Sequence, residues 1–114
     1  MENKVNAAKL SEKQCIPCRG GVEPLGTQEL TPYLQQLADG WDIIEGCKLE
    51  KTFKFKNFKE ALDFTNRLGE LAEQQEHHPD IYLSWGKVKV ELWTHKIGGL
   101  HENDFILASC IDHF

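Results

Sequence analysis

The chain has 114 residues, 40% of them hydrophobic and 27% charged, which is the composition of one globular domain rather than of a disordered or fibrous chain. Its formal net charge of -5 argues against binding nucleic acid through phosphates, and no apolar run is long enough to span a bilayer. Glu2, Lys4, Lys9, Glu12 and Lys13 interrupt the start of the chain, so no secretory signal is expected and the cytoplasm is the expected compartment.

Residues 1–26 read as an N-terminal arm, polar and punctuated by Pro17, Gly20, Gly21 and Pro24. The arm holds Cys15 and Cys18 in a CxxC; the other cysteines are Cys47 and Cys110. A structural zinc site wants four ligands, usually two such pairs, and the second pair is missing. A thioredoxin-type CxxC follows a strand and opens a helix, and no strand pattern precedes this one. Three readings stay open for it: reduced cysteines without chemistry, a metal shared between subunits, or a redox pair.

Residues 27–114 read as the folded domain. Thr27 is a candidate N-cap for a helix running to about Ala38, with Leu30, Tyr33, Leu34 and Leu37 on one face and Asp39-Gly40 as its stop. Trp41, Ile43 and Ile44 suggest a short strand, and Glu45-Gly46 a turn. Leu49, Lys51, Phe53 and Phe55 then share one parity, against Lys48, Glu50, Thr52, Lys54 and Lys56 on the other, the pattern of a half-buried strand with a solvated lysine face. Asn57 caps a long helix from about Phe58 to Glu76. Its apolar stripe is Phe58, Ala61, Leu62, Thr65, Leu68 and Ala72, widened by Phe64 and Leu71. Pro79 ends that helix, because the residue before a proline is pushed out of the helical region. Ile81 to Trp85 is a third strand, and Gly86 a turn. Val88, Val90 and Leu92 alternate with Lys87, Lys89 and Glu91 in a fourth strand. After Gly98-Gly99, a last helix spans Asp104 to Ile111. The order α-β-β-α-β-β-α, with two strand pairs close enough to be hairpins, predicts an α+β fold: a four-stranded antiparallel sheet with helices packed on one face.

The five histidines are His77, His78, His95, His101 and His113. His77 and His78 stand where the long helix ends, and His95 just after the fourth strand. Element ends meet at the rim of a sheet, where clefts form. Glu73 lies four residues before His77, on the same helical face and within hydrogen-bond reach. A carboxylate there would fix the imidazole's tautomer. His78 precedes Pro79 and is expected to be extended, so the two rings need not point the same way. Taken singly, each of these histidines is also what a helix end or strand end ordinarily carries. Three histidines could hold zinc, but adjacent histidines are an awkward ligand pair and no HExxH spacing occurs, so no metal is expected.

The run Glu73-Gln74-Gln75-Glu76-His77-His78-Pro79-Asp80, followed by Val88-Lys89-Val90-Glu91-Leu92-Trp93-Thr94-His95, resembles the signature of the pterin-4a-carbinolamine dehydratases. Tyr82 and Trp85 supply its aromatics. The tail from Gly99 to Ala108 is similar to the family's Gly-Leu-x-x-x-Asp-x-x-x-Ala, and Gly40-Trp41 and residues 53–58 fit as well. The likeness covers roughly residues 27–112. Two departures stand out. Gln74 replaces the basic residue that usually follows the acid, and His101 stands where a small hydroxyl cap often begins the last helix.

The resemblance implies dehydration of a 4a-hydroxytetrahydropterin to a quinonoid dihydropterin and water. That step recycles the cofactor of the aromatic amino acid hydroxylases and gives a functional link to phenylalanine hydroxylase. Histidines suit the two proton transfers, and no cofactor or metal is implied. By resemblance His77, His78, His95 and Glu73 are the catalytic set, with His77 near the 4a-hydroxyl, His95 as its acid/base counterpart, His78 orienting, and Glu73 hydrogen-bonding. Glu76, Pro79, Trp93, Thr94, Lys96 and Asp104 are implied as substrate contacts. Asp104 also has an ordinary reading, as an acid beside the start of a helix. The family further implies a homodimer or homotetramer. Two other classes of function remain beside the enzyme: a protein-interaction module that stabilises a transcription-factor dimer, and a noncatalytic relative in pterin or molybdopterin metabolism.

Overall fold

The computed structural model describes residues 10–12 and 23–114. Cys15 and Cys18 lie outside the described residues. The elements are α1 (Thr27–Leu34), β1 (Asp42–Ile44), β2 (Lys48–Lys54), α2 (Phe58–Gln75), β3 (Asp80–Ser84), β4 (Lys87–Leu92) and α3 (Glu102–Asp112), with 3₁₀ turns at Leu10–Glu12 and His95–Ile97. This is the expected α+β order. The four strands form one sheet in the order β1-β2-β4-β3, and every neighbouring pair is antiparallel.

The register follows from strand parity. Leu49 faces Leu92, Lys51 faces Val90 and Phe53 faces Val88, so one face of the central pair is apolar but for Lys51. Leu49, Val88, Val90 and Leu92 have no exposed surface. They pack with Ala61, Phe64 and Leu68 of α2 and with Phe105, Leu107 and Ala108 of α3 in one core. The opposite face carries the charges, and those that pair are half-buried: Lys48 pairs with Glu91 at 3.7 Å, and Lys89 with Glu50 at 3.8 Å and Glu91 at 3.6 Å. The β1–β2 turn places Glu45 (φ 53°) and Gly46 (φ 72°) in the left-handed region, as a tight hairpin requires.

Several boundaries differ from the sequence reading. The first helix is capped by Gly26, whose N–H donates to Glu29 Oε1 at 2.7 Å, so Thr27 lies inside it rather than at its cap. It ends at Leu34 instead of Ala38. Pro32 weakens its last turn, and Gln36 and Leu37 instead donate three residues back, to Tyr33 and Leu34. In α2 the buried stripe is Ala61, Phe64, Leu68 and Ala72. Phe58 is exposed, and Leu62 and Thr65 are half-buried, because the stripe runs one row over. Leu10, placed by sequence in the arm, is buried in the core, its 3₁₀ turn packed on α3. Among the described residues no helix is long and apolar enough to cross a membrane. Cys47 and Cys110 are not joined in a disulfide, and burial pushes the Cys110 thiol up, favouring its uncharged form.

Candidate active site

His77, His78, His95 and His101 gather at one end of the sheet because three element ends meet there, while His113 lies at the far end of α3. Helix α2 stops when Glu76 turns into the left-handed region (φ 54°), and the His77 N–H reaches back to the Ala72 carbonyl at 3.1 Å. Pro79 follows only after this turn has been made. The cap therefore stops the helix, and the proline keeps it stopped. His77 thus lies outside α2 and off its helical face. Strand β4 ends at Leu92, and Thr94 closes a small bridge with Gly99. Gly99 cannot carry a side chain, since a Cβ there would come within 2.7 Å of Pro24. This packing holds the loop that leads into α3. His101 caps α3, its Nδ1 accepting from the Asn103 N–H at 3.1 Å.

Asp104 joins these ends. Its Oδ1 lies 2.6 Å from His77 Nε2, and its Oδ2 accepts from Thr94 Oγ1 at 2.8 Å and from the His101 N–H at 2.9 Å. Asp104 has no exposed surface. The hydroxyl and the backbone N–H both donate to Oδ2; an ionised Asp104 can only accept, which assigns the proton of the Oδ1 bond to His77 Nε2. The N-terminus of α3 adds partial positive charge beside it. His77 Nδ1 is left as the nitrogen able to face a ligand, and 11% of the His77 side chain reaches the surface.

This arrangement corrects the expected partner of His77. Glu73 does not bond His77. Its Oε2 lies 2.5 Å from His78 Nε2, in a pair that is largely exposed. The turn at Glu76 rotates His77 inward and leaves His78 over the last turn of α2. Thr94 and Asp104, expected as substrate contacts, face one another inside the protein, where Asp104 also bonds His77. His95 and Lys96 are exposed beside Thr94. The His95 ring lies 4.2 Å from the Trp93 ring, and Lys48 Nζ lies 5.2 Å over Trp93. The Trp93 Nε1–H points to Asp80 Oδ2 at 3.4 Å. Among the described residues no hydrogen bond ties His95 to His77. They are neighbours through the chain, because His95 follows the threonine that holds Asp104. Glu76 is exposed and serves as the cap that aims His77, and Pro79 is half-buried. Sequence reasoning noted His101 at the cap position of the last helix but gave it no role in the site. The signal was available, in a residue three before an acid at the start of an apolar run, as in a capping box.

The family model described as "Pterin 4 alpha carbinolamine dehydratase" matches residues 23–114. The chain belongs to the pterin-4a-carbinolamine dehydratase family. A relative from Alkaliphilus metalliredigens, provisionally named a pterin-4-alpha-carbinolamine dehydratase, is 55% identical over 103 residues, 90% of this chain and 93% of its own length. One from Rubrobacter xylanophilus with the same provisional name is 50% identical over 105 residues, 92% of this chain and 97% of its own. The crystal structure of a transcriptional coactivator/pterin dehydratase from Brucella melitensis superposes with a TM-score of 0.74 at 32% identity, over 80% of this chain and 97% of that one. A pterin dehydratase-like protein identified as a RuBisCO assembly factor in the alpha-carboxysome shares the fold alone, with a TM-score of 0.56 at 22% identity, over 65% of this chain and 87% of that one. The α+β sheet and its helices are those of the pterin dehydratase structures.

Proposed function

We propose that this protein dehydrates a 4a-hydroxytetrahydropterin to a quinonoid dihydropterin. The observation that carries the reading is the His77–Asp104 bond at 2.6 Å, in a chain of this family. In the reaction the C4a–O bond breaks, the hydroxyl leaves as water with one added proton, and the N5 proton departs as the C4a–N5 double bond forms. One group must give a proton and another must take one. A histidine held by a buried carboxylate keeps one ring orientation and one tautomer, which is what proton transfer to a fixed atom needs. His77 works at the 4a-hydroxyl through Nδ1, and His95 serves as its acid/base counterpart. His78, held by Glu73, orients the pterin. Trp93 supplies a flat apolar surface beside His95, and Lys96, Glu76 and Pro79 are further contacts of the pterin in this reading. No metal is assigned to the reaction. The protein acts in recycling the pterin of an aromatic amino acid hydroxylase, as an oligomer in the cytoplasm.

The names of the structural neighbours include a coactivator and an assembly factor. An interaction role would not require an imidazole aimed by a buried carboxylate, so the His77–Asp104 pair favours the enzyme. The test is the decay of freshly generated 4a-hydroxytetrahydropterin with and without the protein, repeated with a chelator and with His95→Ala. Acceleration that survives the chelator and falls about 100-fold or more in the variant is expected for histidine acid/base catalysis. No acceleration by folded protein would overturn the reading and favour the binding role.

A further inference from the structure

The cap of α3 is a histidine ring, and it is coupled to the proposed catalytic pair by two consecutive hydrogen bonds. His101 Nδ1 accepts from the Asn103 N–H at 3.1 Å, and the His101 N–H donates to Asp104 Oδ2 at 2.9 Å. The same carboxylate holds His77 at 2.6 Å through its other oxygen. A cap normally only satisfies the free N–H groups of a helix end. Here the capping residue and the carboxylate anchor each other: the ring fixes the first turn of α3, and that turn carries Asp104. The Asp104 N–H also returns to the His101 carbonyl at 3.0 Å, which closes the turn on itself. Asp104 has no exposed surface, so no water can replace a donor that drifts away.

We infer that His101 is a positioning residue: its ring, acting as the α3 cap, sets the Asp104 carboxylate and through it the aim of His77. The ring is half-buried and touches no reacting atom in this role. Its requirement is one acceptor at the position of Nδ1. Any short side chain with an oxygen there can substitute, and a side chain with none cannot.

The kinetic arm of the test rests on the dehydratase reading, and the spectroscopic arm does not. The His77 Nε2 proton, bonded to a buried carboxylate, is expected as a resolved downfield NMR signal, assigned by its loss in His77→Asn. In His101→Ala this signal should shift or broaden, and kcat should fall about fivefold with KM within twofold. His101→Ser should restore both. If the alanine variant does not fold, His101→Gly carries the same test, because glycine is tolerated at a cap yet offers no acceptor. Asn57→Ala removes the cap at the far end of α2, where Asn57 Oδ1 accepts from the Glu60 N–H at 2.8 Å. It should lower the melting temperature comparably and leave both the His77 signal and kcat unchanged.

The inference is overturned if His101→Ala or His101→Gly loses stability as Asn57→Ala does while the signal and kcat stay as in the parent. It is also overturned if His101→Ser fails to restore them. A shifted signal in a protein with no dehydratase activity would support the positioning role and sink the functional reading.

Discussion

Helix α3 carries a buried carboxylate at each end, and the two ends do different work. Asp104, at the start, collects His77, the Thr94 hydroxyl and the His101 N–H. Asp112, at the finish, collects Lys51 Nζ at 2.9 Å, Trp41 Nε1 at 3.0 Å and the Ala38 N–H at 3.0 Å. Each ties two distant parts of the chain to the helix, residues 77 and 94 at one end and residues 38–41 and 51 at the other. The helix field favours a carboxylate at its N-terminus and opposes one at its C-terminus, so Asp112 needs the lysine more than Asp104 needs a cation. The decisive difference lies in the partner. An ammonium has only donors, so Lys51 has no lone pair to give a substrate, and the Asp112 cluster is a clip. An imidazole that gives one nitrogen to a carboxylate still presents the other, so the Asp104 cluster is a tool. Exposure alone would not separate them, since 14% of the Lys51 side chain and 11% of that of His77 reach the surface.

Amide substitutions would break this comparison most sharply. Asp104→Asn keeps the size of the side chain but turns one acceptor into a donor among three donors. His77 then loses its anchor and its tautomer, and kcat/KM for carbinolamine dehydration should drop about 100-fold or more. Equal loss of rate in Asp112→Asn would show that the two ends are not distinct. The expected outcome there is a stability loss of about 3 kcal/mol in urea unfolding, the low end for breaking a buried pair, because Lys51 keeps some contact with water. The rate per folded molecule should stay within twofold. Thr94→Val is smaller. It preserves shape but removes one donor from Asp104, which leaves a buried carboxylate short of a partner. Urea unfolding should show a loss of about 1–2 kcal/mol, and the rate should fall severalfold.

The sequence carried the architecture because it depends on local patterns. Parity marked β2 and β4, the helical stripe marked α2, and Asn57 marked its start. The histidine cluster was legible through the motif around His77, His78 and His95. What the sequence hid was who holds whom. Glu73 stands at the right spacing to bond His77, and on an unbroken helix it would. The left-handed turn at Glu76, a conformation a non-glycine residue seldom takes, redirects that carboxylate to His78. The bond from His77 to Asp104 joins residues far apart in the chain, and only the way α3 packs against the end of β4 creates it. Lys51 shared a parity with Leu49 and Phe53, which placed it inward. Its partner at the far end of α3 gave no local signal. Likewise the acid at 104 read either as a substrate contact or as an ordinary helix-start residue, and nothing local announced the three donors that converge on it.

The smallest expected effect sharpens the contrast between the two neighbouring histidines. His78 and Glu73 are close, but 61% and 78% of their side chains are exposed. A pair this wet is screened and adds about 0–0.5 kcal/mol to stability. Glu73→Gln should therefore leave urea unfolding unchanged while keeping a side chain of the same length. Any change in kinetics must then come from contact with the pterin. An increase in KM of a few fold, with kcat nearly unchanged, would fit a His78 ring that orients the substrate. A large fall in kcat with KM unchanged would instead move Glu73 into proton transfer. His77 would then no longer be the one histidine of the adjacent pair whose carboxylate matters to the chemistry.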